Sequence, residues 1–230
     1  MPPERAVEFD IPLQPNTEIP FARGPRLSFA QVEALRGMLR ELLQGGLIRA
    51  SKSPFSAPLL MVAKPDGSWR LVVDYRKLNA ISVKDRYPLP NPQAIFDQMA
   101  GSSVFSVLDL RWGYYQVRIN EADAYKTAFS TPIGSFEWMV MPMGTSNSGP
   151  TFQKLMDQIF RDLDFVAAYL DDIIIHSKSQ EEHLEHLHIV FDRLQAHKLL
   201  CRLTKVQLFQ SSVRFLSFHI SGEGDRKSVV

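Results

Sequence analysis

The spacing of apolar residues predicts that the chain begins with a helix and a hairpin. Ser28 and Gln31 form a capping-box pattern, and the apolar residues that follow recur at helical spacing until a pair of glycines ends the segment. Two apolar runs, 58–63 and 69–73, flank a Lys-Pro-Asp-Gly-Ser stretch. Turn residues between two strand-like runs predict a β-hairpin.

The middle of the chain alternates short helices and strands. A short helix is predicted at 93–100, and the apolar run 102–110 predicts a buried strand. The segment 115–119 alternates in polarity and predicts a second strand. Residues 125–141 predict a hairpin that turns at Pro132-Ile133-Gly134.

The last part of the chain repeats this mixture. A helix is predicted from Pro150 to about Leu163, and a long helix from the Ser179 cap to about His197. Between them, two apolar strand-like runs flank an aspartate pair, and a final strand is predicted at 213–221. Because hairpins and helices interleave without a steady strand–helix alternation, the fold class is expected to be α+β.

The composition describes a folded chain with almost no net charge. The 230 residues include 15 Phe, 6 Tyr and 3 Trp, which excludes disorder as the dominant state. The 26 Lys and Arg residues nearly balance the 25 Asp and Glu residues, so the charge does not point to a nucleic-acid partner. Cys201 is the one cysteine, which excludes an internal disulfide and a multi-thiolate metal site.

The distribution of apolar residues does not predict a membrane-spanning segment or a secretory signal. No run of 18 apolar residues is present, and the first ten residues lack an apolar signal core. The first 27 residues carry six prolines and predict an extended lead.

Three aspartates suggest a metal-dependent site. Asp171 and Asp172 stand between two uniformly apolar runs, where adjacent carboxylates repel each other unless a cation shares their field. Asp109 ends the buried strand at 102–110. If these strands are neighbours in one sheet, the acids converge at its edge, and they would suit two Mg²⁺ ions and phosphoryl transfer. A polar hairpin turn is the alternative interpretation of the aspartate pair.

Several sequence blocks in one order carry a family resemblance. The segment YLDDIII resembles the tyrosine-x-aspartate-aspartate signature of reverse transcriptases. The blocks LIRASKSPFSAPLLMVAKPDGSWRLVVDYRKLN, DRYPLPNP, FSVLDLRWGYYQVRI, KTAFSTPIGSFEWMVMPMG and TFQKLMDQIF fall in the matching order. The chain thus resembles the reverse transcriptase of LTR retrotransposons of the Ty3/gypsy type over roughly residues 30–221.

The resemblance implies roles for the acids and for two cations. Asp109, Asp171 and Asp172 match the catalytic, metal-binding carboxylates of the family, with two Mg²⁺ ions, or Mn²⁺ as a substitute, as cofactors. Lys64 and Arg70 match the residues that grip the triphosphate. Residues 64–86 carry six cations against three anions, which suits a polyanion although a solvated hairpin has the same appearance.

Further residues match the family's nucleotide site. Tyr114 matches the steric gate against ribonucleotides, although a core tyrosine is the plain alternative. Arg111 is expected close to the incoming nucleotide, and Gly144 and Gln153 match the loop and helix that support it. Pro150 stands where a phosphate-binding loop would need its lysine, so a Walker-type loop is excluded.

The resemblance implies right-hand polymerase subdomains and nucleic-acid partners. Fingers are expected at 28–84 and 118–147, and an antiparallel palm sheet on helices at 85–117 and 148–222, followed by a frayed end at 223–230 with the thumb absent. The expected partners are an RNA or DNA template with its primer and deoxynucleoside triphosphates, with no membrane. In a full element, RNase H, integrase and protease domains are expected as further parts of the polyprotein. The family also implies an intracellular location, in a cytoplasmic particle or the nucleus.

Two departures from the family pattern leave other functions open. At 143–150 the expected basic residue is lost and the proline is displaced by one position, and Ser217 replaces a glycine near the C-terminus. An RNA-directed DNA polymerase is the first hypothesis. The alternatives are an impaired remnant that retains nucleic-acid binding or interaction, and a metal-dependent nuclease that uses the same acids.

The histidines at the last long helix and the cysteine are not predicted to bind a metal or to take part in catalysis. The histidine spacing does not place two ligands four residues apart beside a carboxylate, so a metal site is disfavoured, and these side chains are expected to face solvent. Cys201 is expected to be a small buried apolar residue. The histidines are His183, His186, His188 and His197.

Overall fold

The structure, a computed structural model, describes residues 1–222 and 227–228. It contains both helices and antiparallel sheets, as the α+β prediction requires. The elements are α1 (Phe29–Gln44), β1 (Ile48–Ala50), β2 (Ala57–Ala63), β3 (Trp69–Val73), α2 (Arg76–Ile81), α3 (Pro92–Gln98), β4 (Val104–Asp109), β5 (Phe129–Thr131), β6 (Gly134–Trp138), α4 (Ser148–Phe160), β7 (Val166–Tyr169), β8 (Asp172–Ser177), α5 (Gln180–Ala196), β9 (Gln207–Gln210), β10 (Ser212–Phe215), β11 (Phe218–Ser221) and β12 (Lys227–Ser228).

The chain forms two compact units. The first consists of Met1–Arg86 and Tyr114–Thr151, and the second consists of Tyr87–Gly113 and Phe152–Val230. The first unit contains a five-stranded sheet in the order β1-β6-β5-β2-β3. In the second unit, a four-stranded sheet has the order β7-β8-β4-β9 and a three-stranded sheet has the order β10-β11-β12.

The first unit is built from the helix and the hairpin that the sequence predicts. The Ser28 hydroxyl accepts the N–H of Gln31, whose side chain accepts the N–H of Ser28, so the capping box starts α1. Leu35 and Leu39 on this helix are buried. β2 and β3 pair antiparallel around the predicted turn, and Arg70 lies opposite Val62.

The proline-rich lead runs along the first unit in extended form. Phe9 bridges Ile119, and Phe21 bridges Ser56. Phe9 is fully buried, so the lead contributes to the core although it forms no helix and only isolated bridges.

The second unit packs α5 and α3 with its sheets. Ser179 caps α5 through the N–H of Glu182, as predicted, and the helix ends at Ala196. Leu187, Val190 and Leu194 form its buried stripe. β4 is buried up to Leu108, and Ile95 and Phe96 in the middle of α3 are buried, which explains why these segments are recognisable from sequence.

Three predicted elements differ in the structure. The segment 115–119 is not a strand, because a 3₁₀ turn at Gly113–Gln116 occupies its beginning and only isolated bridges follow. α4 begins at Ser148, two residues before Pro150, and a proline in the first helical turn removes no intrahelical hydrogen bond. The predicted strand 213–221 is a hairpin of β10 and β11.

The turn between β10 and β11 explains that break. Leu216 and Ser217 have φ values of 50° and 66°, both in the left-handed region. This conformation favours glycine, which is the residue that the sequence blocks led us to expect at position 217. The predicted frayed end at 223–230 lies outside the described residues, except that Lys227–Ser228 pair with β11.

The predicted exposure of the α5 histidines is wrong for His183. Its side chain is fully buried, and its two ring nitrogens face the hydroxyls of Ser106 and Ser177 at 2.6 and 2.7 Å. These hydroxyls satisfy a neutral imidazole, which makes burial affordable. Cys201, predicted to be buried, is half-buried.

Candidate active site

The three predicted catalytic acids meet at one end of the second unit's sheet. β4 and β8 are antiparallel neighbours, and Asp109 at the end of β4 lies opposite Asp172 at the start of β8. Asp171 immediately precedes Asp172 in the turn from β7. The condition on which the sequence interpretation depended, that these strands are neighbours in one sheet, is met.

The turn that carries Asp171 is tight. Tyr169 pairs with Asp172, which leaves Leu170 and Asp171 as a two-residue hairpin loop. Leu170 has a φ of 55°, in the left-handed region that costs a side-chain-bearing residue roughly 1 kcal/mol or more. Such a conformation persists only when the surroundings fix it.

The buried side chain of Gln153, on α4, fixes this turn. Its Oε1 accepts the N–H of Leu170 at 2.9 Å, and its Nε2 donates to the carbonyl of Ala168 at 3.0 Å. Nε2 also donates to Asp157 at 2.8 Å. Gln153 is fully buried, so these bonds form away from water. The sequence assigned Gln153 to the nucleotide, whereas its described contacts are with the aspartate turn.

Gly113 allows the chain after β4 to pass close to the turn. A Cβ atom at Gly113 would lie 3.0 Å from Asp171 Cβ and 3.3 Å from the ring of Phe152. Any larger residue would therefore press on the residue that carries the acid. Sequence reasoning missed this role, because nothing in the spacing reveals the close approach.

The carboxylate of Asp109 is paired with cations. Lys205 Nζ lies 2.8 Å from Oδ2, and Arg202 Nε lies 3.7 Å from Oδ1. The N–H of Arg202 also donates to the Asp109 carbonyl at 2.8 Å, and the N–H of Arg111 donates to Leu200. The segment 200–205 is thus held along β4 and the residues that follow it. Its ion pairs had no signal in the sequence, since Lys205 is 96 positions away.

The acids share one electrostatic field. Although the Asp172 side chain is exposed, loss of hydration is the largest effect that raises the pKa of this carboxyl, and the charges of Asp171 and Asp109 raise it further. Lys205 acts in the opposite direction. Burial, and then the Asp109 charge, also raise the pKa of the Cys201 thiol.

The donor chemistry fits divalent cations, with one condition. Carboxylate oxygens are the preferred ligands of Mg²⁺, and Lys205 already places a positive charge against Asp109. Within residues 1–222 and 227–228, no three His, Cys, Asp or Glu side chains are yet arranged to hold an ion. Because Asp109 points at Lys205, its carboxylate would have to leave that partner to serve as a ligand.

Lys64 and Arg70 lie on the β2–β3 hairpin of the first unit. Lys64 begins the turn, where its N–H donates to the carbonyl of Ser68 at 2.8 Å. The Asp66 carboxylate accepts the N–H of Ser68 at 2.9 Å and closes the turn. Both cationic side chains are exposed. The hairpin therefore presents two positive charges to solvent.

The remaining predicted nucleotide residues are divided between the units. Arg111, in the second unit, is exposed, and its guanidinium lies 4.7 Å from the ring centre of Trp112. Tyr114 belongs to the first unit and is half-buried in the 3₁₀ turn. Gly144 is also in the first unit and has a φ of 90°, which requires glycine.

The altered loop at 143–150 is well held in the first unit. Asn79 Nδ2 donates to the carbonyl of Gly144 at 2.8 Å, and Asn79 Oδ1 accepts the N–H of Ser146 at 2.8 Å. Asn147 Nδ2 donates to the carbonyl of Val83 at 2.9 Å. These three hydrogen bonds fix the loop that leads into α4.

A family model described as reverse transcriptase (RNA-dependent DNA polymerase) matches residues 62–220. The chain belongs to the reverse transcriptase family. The family and retrotransposon type that the sequence blocks suggested are thus confirmed.

Curated relatives of this chain include retrotransposon polyproteins. The chain is 36% identical to the Transposon Tf2-3 polyprotein and 35% identical to the Transposon Tf2-7 polyprotein of Schizosaccharomyces pombe, over 225 residues in each case. These matches cover 96% of the chain and 17% of each relative, so the chain spans about a sixth of their length.

Solved structures agree on the fold. The foamy viral protease-reverse transcriptase in complex with an RNA/DNA hybrid has a TM-score of 0.85 and 25% identity, covering 94% of this chain and 29% of that one. A second foamy viral structure, with double-stranded DNA, has a TM-score of 0.82, covers 100% of this chain and 39% of that one, and at 24% identity shows the fold alone. In the described part of this chain, each helix is too short or too polar to cross a membrane.

Proposed function

We propose that this chain catalyses RNA-directed DNA synthesis, in which a deoxynucleotidyl group is transferred to a primer 3′-hydroxyl on an RNA or DNA template. The observation that carries the proposal is the pairing of Asp109 with Asp172 beside the Asp171 turn. Family membership supplies the reaction class, and the foamy viral relative bound to an RNA/DNA hybrid supports the choice of template.

Asp109 and Asp171 would hold two Mg²⁺ ions, and Asp172 would shape the field around them. The bound ions would supply charge stabilisation to the attacking oxygen and to the leaving pyrophosphate. Gln153 keeps Leu170 in its left-handed conformation and thereby sets the position of Asp171. Gly113 leaves room for the acid beside the chain that follows β4.

The cations and the aromatic ring would select the nucleotide. Lys64 supplies a compact charge and Arg70 a planar guanidinium, which together suit a triphosphate. Arg111 would lie near the same nucleotide, and Gly144 would support it through its loop. Tyr114 would exclude a 2′-hydroxyl by its bulk. In this proposal the first unit corresponds to the fingers and the second to the palm.

Substitution of Asp171 by Asn tests the proposal directly. The amide keeps the shape but removes the negative charge, so Mg²⁺-dependent primer extension on a polyribonucleotide template should fall by roughly 1,000-fold. Asp192→Asn, at an exposed position of α5, makes the same chemical change elsewhere in the second unit and should leave extension unchanged. Retained extension by the Asp171 variant, with a normal circular dichroism spectrum, would remove the two-metal assignment.

The same assay separates the two alternative functions. Cleavage of the template by the unsubstituted chain without nucleotides would indicate the nuclease. Binding of the primer–template without any extension would indicate the impaired remnant.

A further inference from the structure

The first unit contains a cavity of about 480 Å³ that none of the proposed catalytic or nucleotide-binding residues lines. The proline-rich lead forms one wall, and β2 and the β5–β6 hairpin form the rest. The side chains that matter for its chemistry are Phe21, Arg23, Arg26, Ser130, Thr131 and Ser135.

The lead is fixed against the sheet at this place, so the cavity is a built feature. Phe21 bridges Ser56 in parallel, and the N–H of Ala22 donates to the carbonyl of Ser56 at 2.8 Å. Gly24 lies so close to β2 that a Cβ atom would stand 2.8 Å from the carbonyl oxygen of Leu59. Only glycine allows this approach, and it brings the arginines on either side to the rim.

The charge of the cavity is positive. Arg23 and Arg26 are exposed, and none of the twelve residues that line the cavity is acidic. Elsewhere in the same unit, Arg49 is paired with both Glu121 and Glu137. Among the described residues, neither cavity arginine has such a partner. Two unpaired guanidinium groups without a neighbouring carboxylate favour an anionic ligand.

The apolar part of the cavity favours an anionic ligand that also carries an aromatic group. Phe21 is 58% exposed, a large aromatic surface left in water. An aromatic ring next to arginines is the combination that binds nucleic-acid single strands, with the ring stacking on a base and the cations on the phosphates. Ser130 and Ser135 also line the wall, and the Ser130 hydroxyl is hydrogen-bonded to that of Ser56. A cavity of this size accommodates a small ligand.

We propose that this cavity binds one unpaired nucleotide of a single-stranded RNA or DNA. A base within a duplex is stacked and paired, so it cannot offer its face to Phe21. The inference rests on the proposed function for the class of partner, because a polymerase reads its template as a single strand. Its test requires binding alone and no catalysis.

The test measures binding of a fluorescent twelve-residue oligouridylate to the full chain by anisotropy. The double variant Arg23→Ala/Arg26→Ala should bind about 10-fold more weakly, and the slope of log affinity against log salt should fall by about 1.4, the value for two lost phosphate contacts. Arg36→Ala/Arg40→Ala removes two exposed arginines from α1 of the same unit and should change affinity less than twofold.

Phe21 separates stacking from charge. Phe21→Ala should weaken binding of the oligouridylate several-fold, whereas Phe21→Tyr should retain it, because the ring is kept. Binding of a blunt twelve-base-pair RNA duplex should change less than twofold in all of these variants. Thermal melting checks that each variant is folded.

Several results would overturn the inference. Equal losses in the two double-arginine variants, or an equal loss for the duplex, would show only a general effect of charge. Competition by an oligoglutamate as strong as by the RNA would indicate an acidic peptide as the ligand. No binding of the oligouridylate to the unsubstituted chain would also refute it. Arginine-dependent binding without primer extension would instead refute the proposed polymerase function while sparing the cavity.

Discussion

Asp171 and Lys64 both lie in turns that connect two antiparallel strands, but different contacts fix the two turns. In the first, buried Gln153 accepts the N–H of the strained Leu170 and donates to the carbonyl of Ala168. In the second, Asp66 closes an exposed turn and the cationic side chains extend into solvent.

This difference follows from what each region is proposed to hold. Carboxylates that share metal ions must stay within a few tenths of an ångström, so their backbone is fixed before any ligand arrives. A flexible polyphosphate tolerates adjustment, so exposed cations can close on it when it binds. Substitutions in the two regions should therefore have different signatures.

Among the substitutions that test this difference, Gln153→Ala should have the largest effect on stability. It leaves the Leu170 N–H and the Ala168 carbonyl without a partner in a buried place, which should lower the free energy of unfolding by about 2–3 kcal/mol. The freed turn should also lower the rate of primer extension at saturating nucleotide. Urea denaturation and single-turnover kinetics measure the two effects.

A matched control for this variant is Gln98→Ala. Gln98 Nε2 also donates to a backbone carbonyl, that of Asp164, but from an exposed position. Its loss should cost less than about 1 kcal/mol. Equal costs for the two variants would contradict the special role of Gln153.

Lys64→Ala should act on binding instead of on the fold. Because the side chain is exposed, the free energy of unfolding should change less than about 0.5 kcal/mol. The KM for deoxynucleotides should rise about 10-fold, and Arg70→Ala should add a similar factor. Lys52→Ala, an exposed lysine of the same unit, serves as the control, and a fall in stability of the Lys64 variant would undo the contrast.

Tyr114→Val tests a residue of a third kind, an aromatic ring half-buried in a 3₁₀ turn. Loss of the ring should increase use of ribonucleotides relative to deoxynucleotides by about 10-fold. Competition between the two nucleotide types measures this ratio. Unchanged discrimination would leave Tyr114 as a core residue, and Tyr125→Val is the control for loss of a tyrosine in this unit.

Acid is expected to lower the stability of the second unit. Burial, and then the charges of His186 and His183, lower the pKa of His176 from 6.5 to about 4, against an opposite effect of Glu182. The folded state thus binds this proton less readily than the unfolded state, so stability is full above pH 6.5 and falls as the pH drops towards 4. The loss should be about 2 kcal/mol.

His176→Gln isolates this contribution. The slope of unfolding free energy against pH between 6.5 and 4 should become shallower, whereas His188→Gln, at an exposed position of α5, should leave it unchanged. Urea denaturation at several pH values measures the slope. An unchanged slope in the His176 variant would assign the acid sensitivity to other groups.

Sequence alone predicted the elements whose signals are local. The cap at Ser28, the apolar run of β4 and the turn between β2 and β3 depend on neighbouring residues, and each is found where expected. The likeness of the aspartate blocks to a known family also pointed to the three acids before their geometry was known, and their catalytic role stays a prediction.

Features that depend on long-range contacts were not predictable. Alternation at 115–119 suggests a strand, but no neighbouring strand pairs with it beyond isolated bridges. A histidine on an amphipathic helix usually faces solvent, whereas His183 is buried because the hydroxyls of Ser106 and Ser177 are hydrogen-bonded to its ring nitrogens. The partnership of Gln153 with Leu170 likewise depends on how α4 lies against β7.

The ion pair between Lys205 and Asp109 would make metal loading an exchange reaction, if the proposed two-metal assignment holds. The positive charge of Lys205 lowers the repulsion among the three acids, so the sheet can form with its carboxylates in place before a divalent ion binds. A Mg²⁺ ion would then have to displace Lys205, and the work of that displacement would lower the apparent affinity for the ion. Folding and metal binding would thus be separate events, and the ion concentration would govern the second.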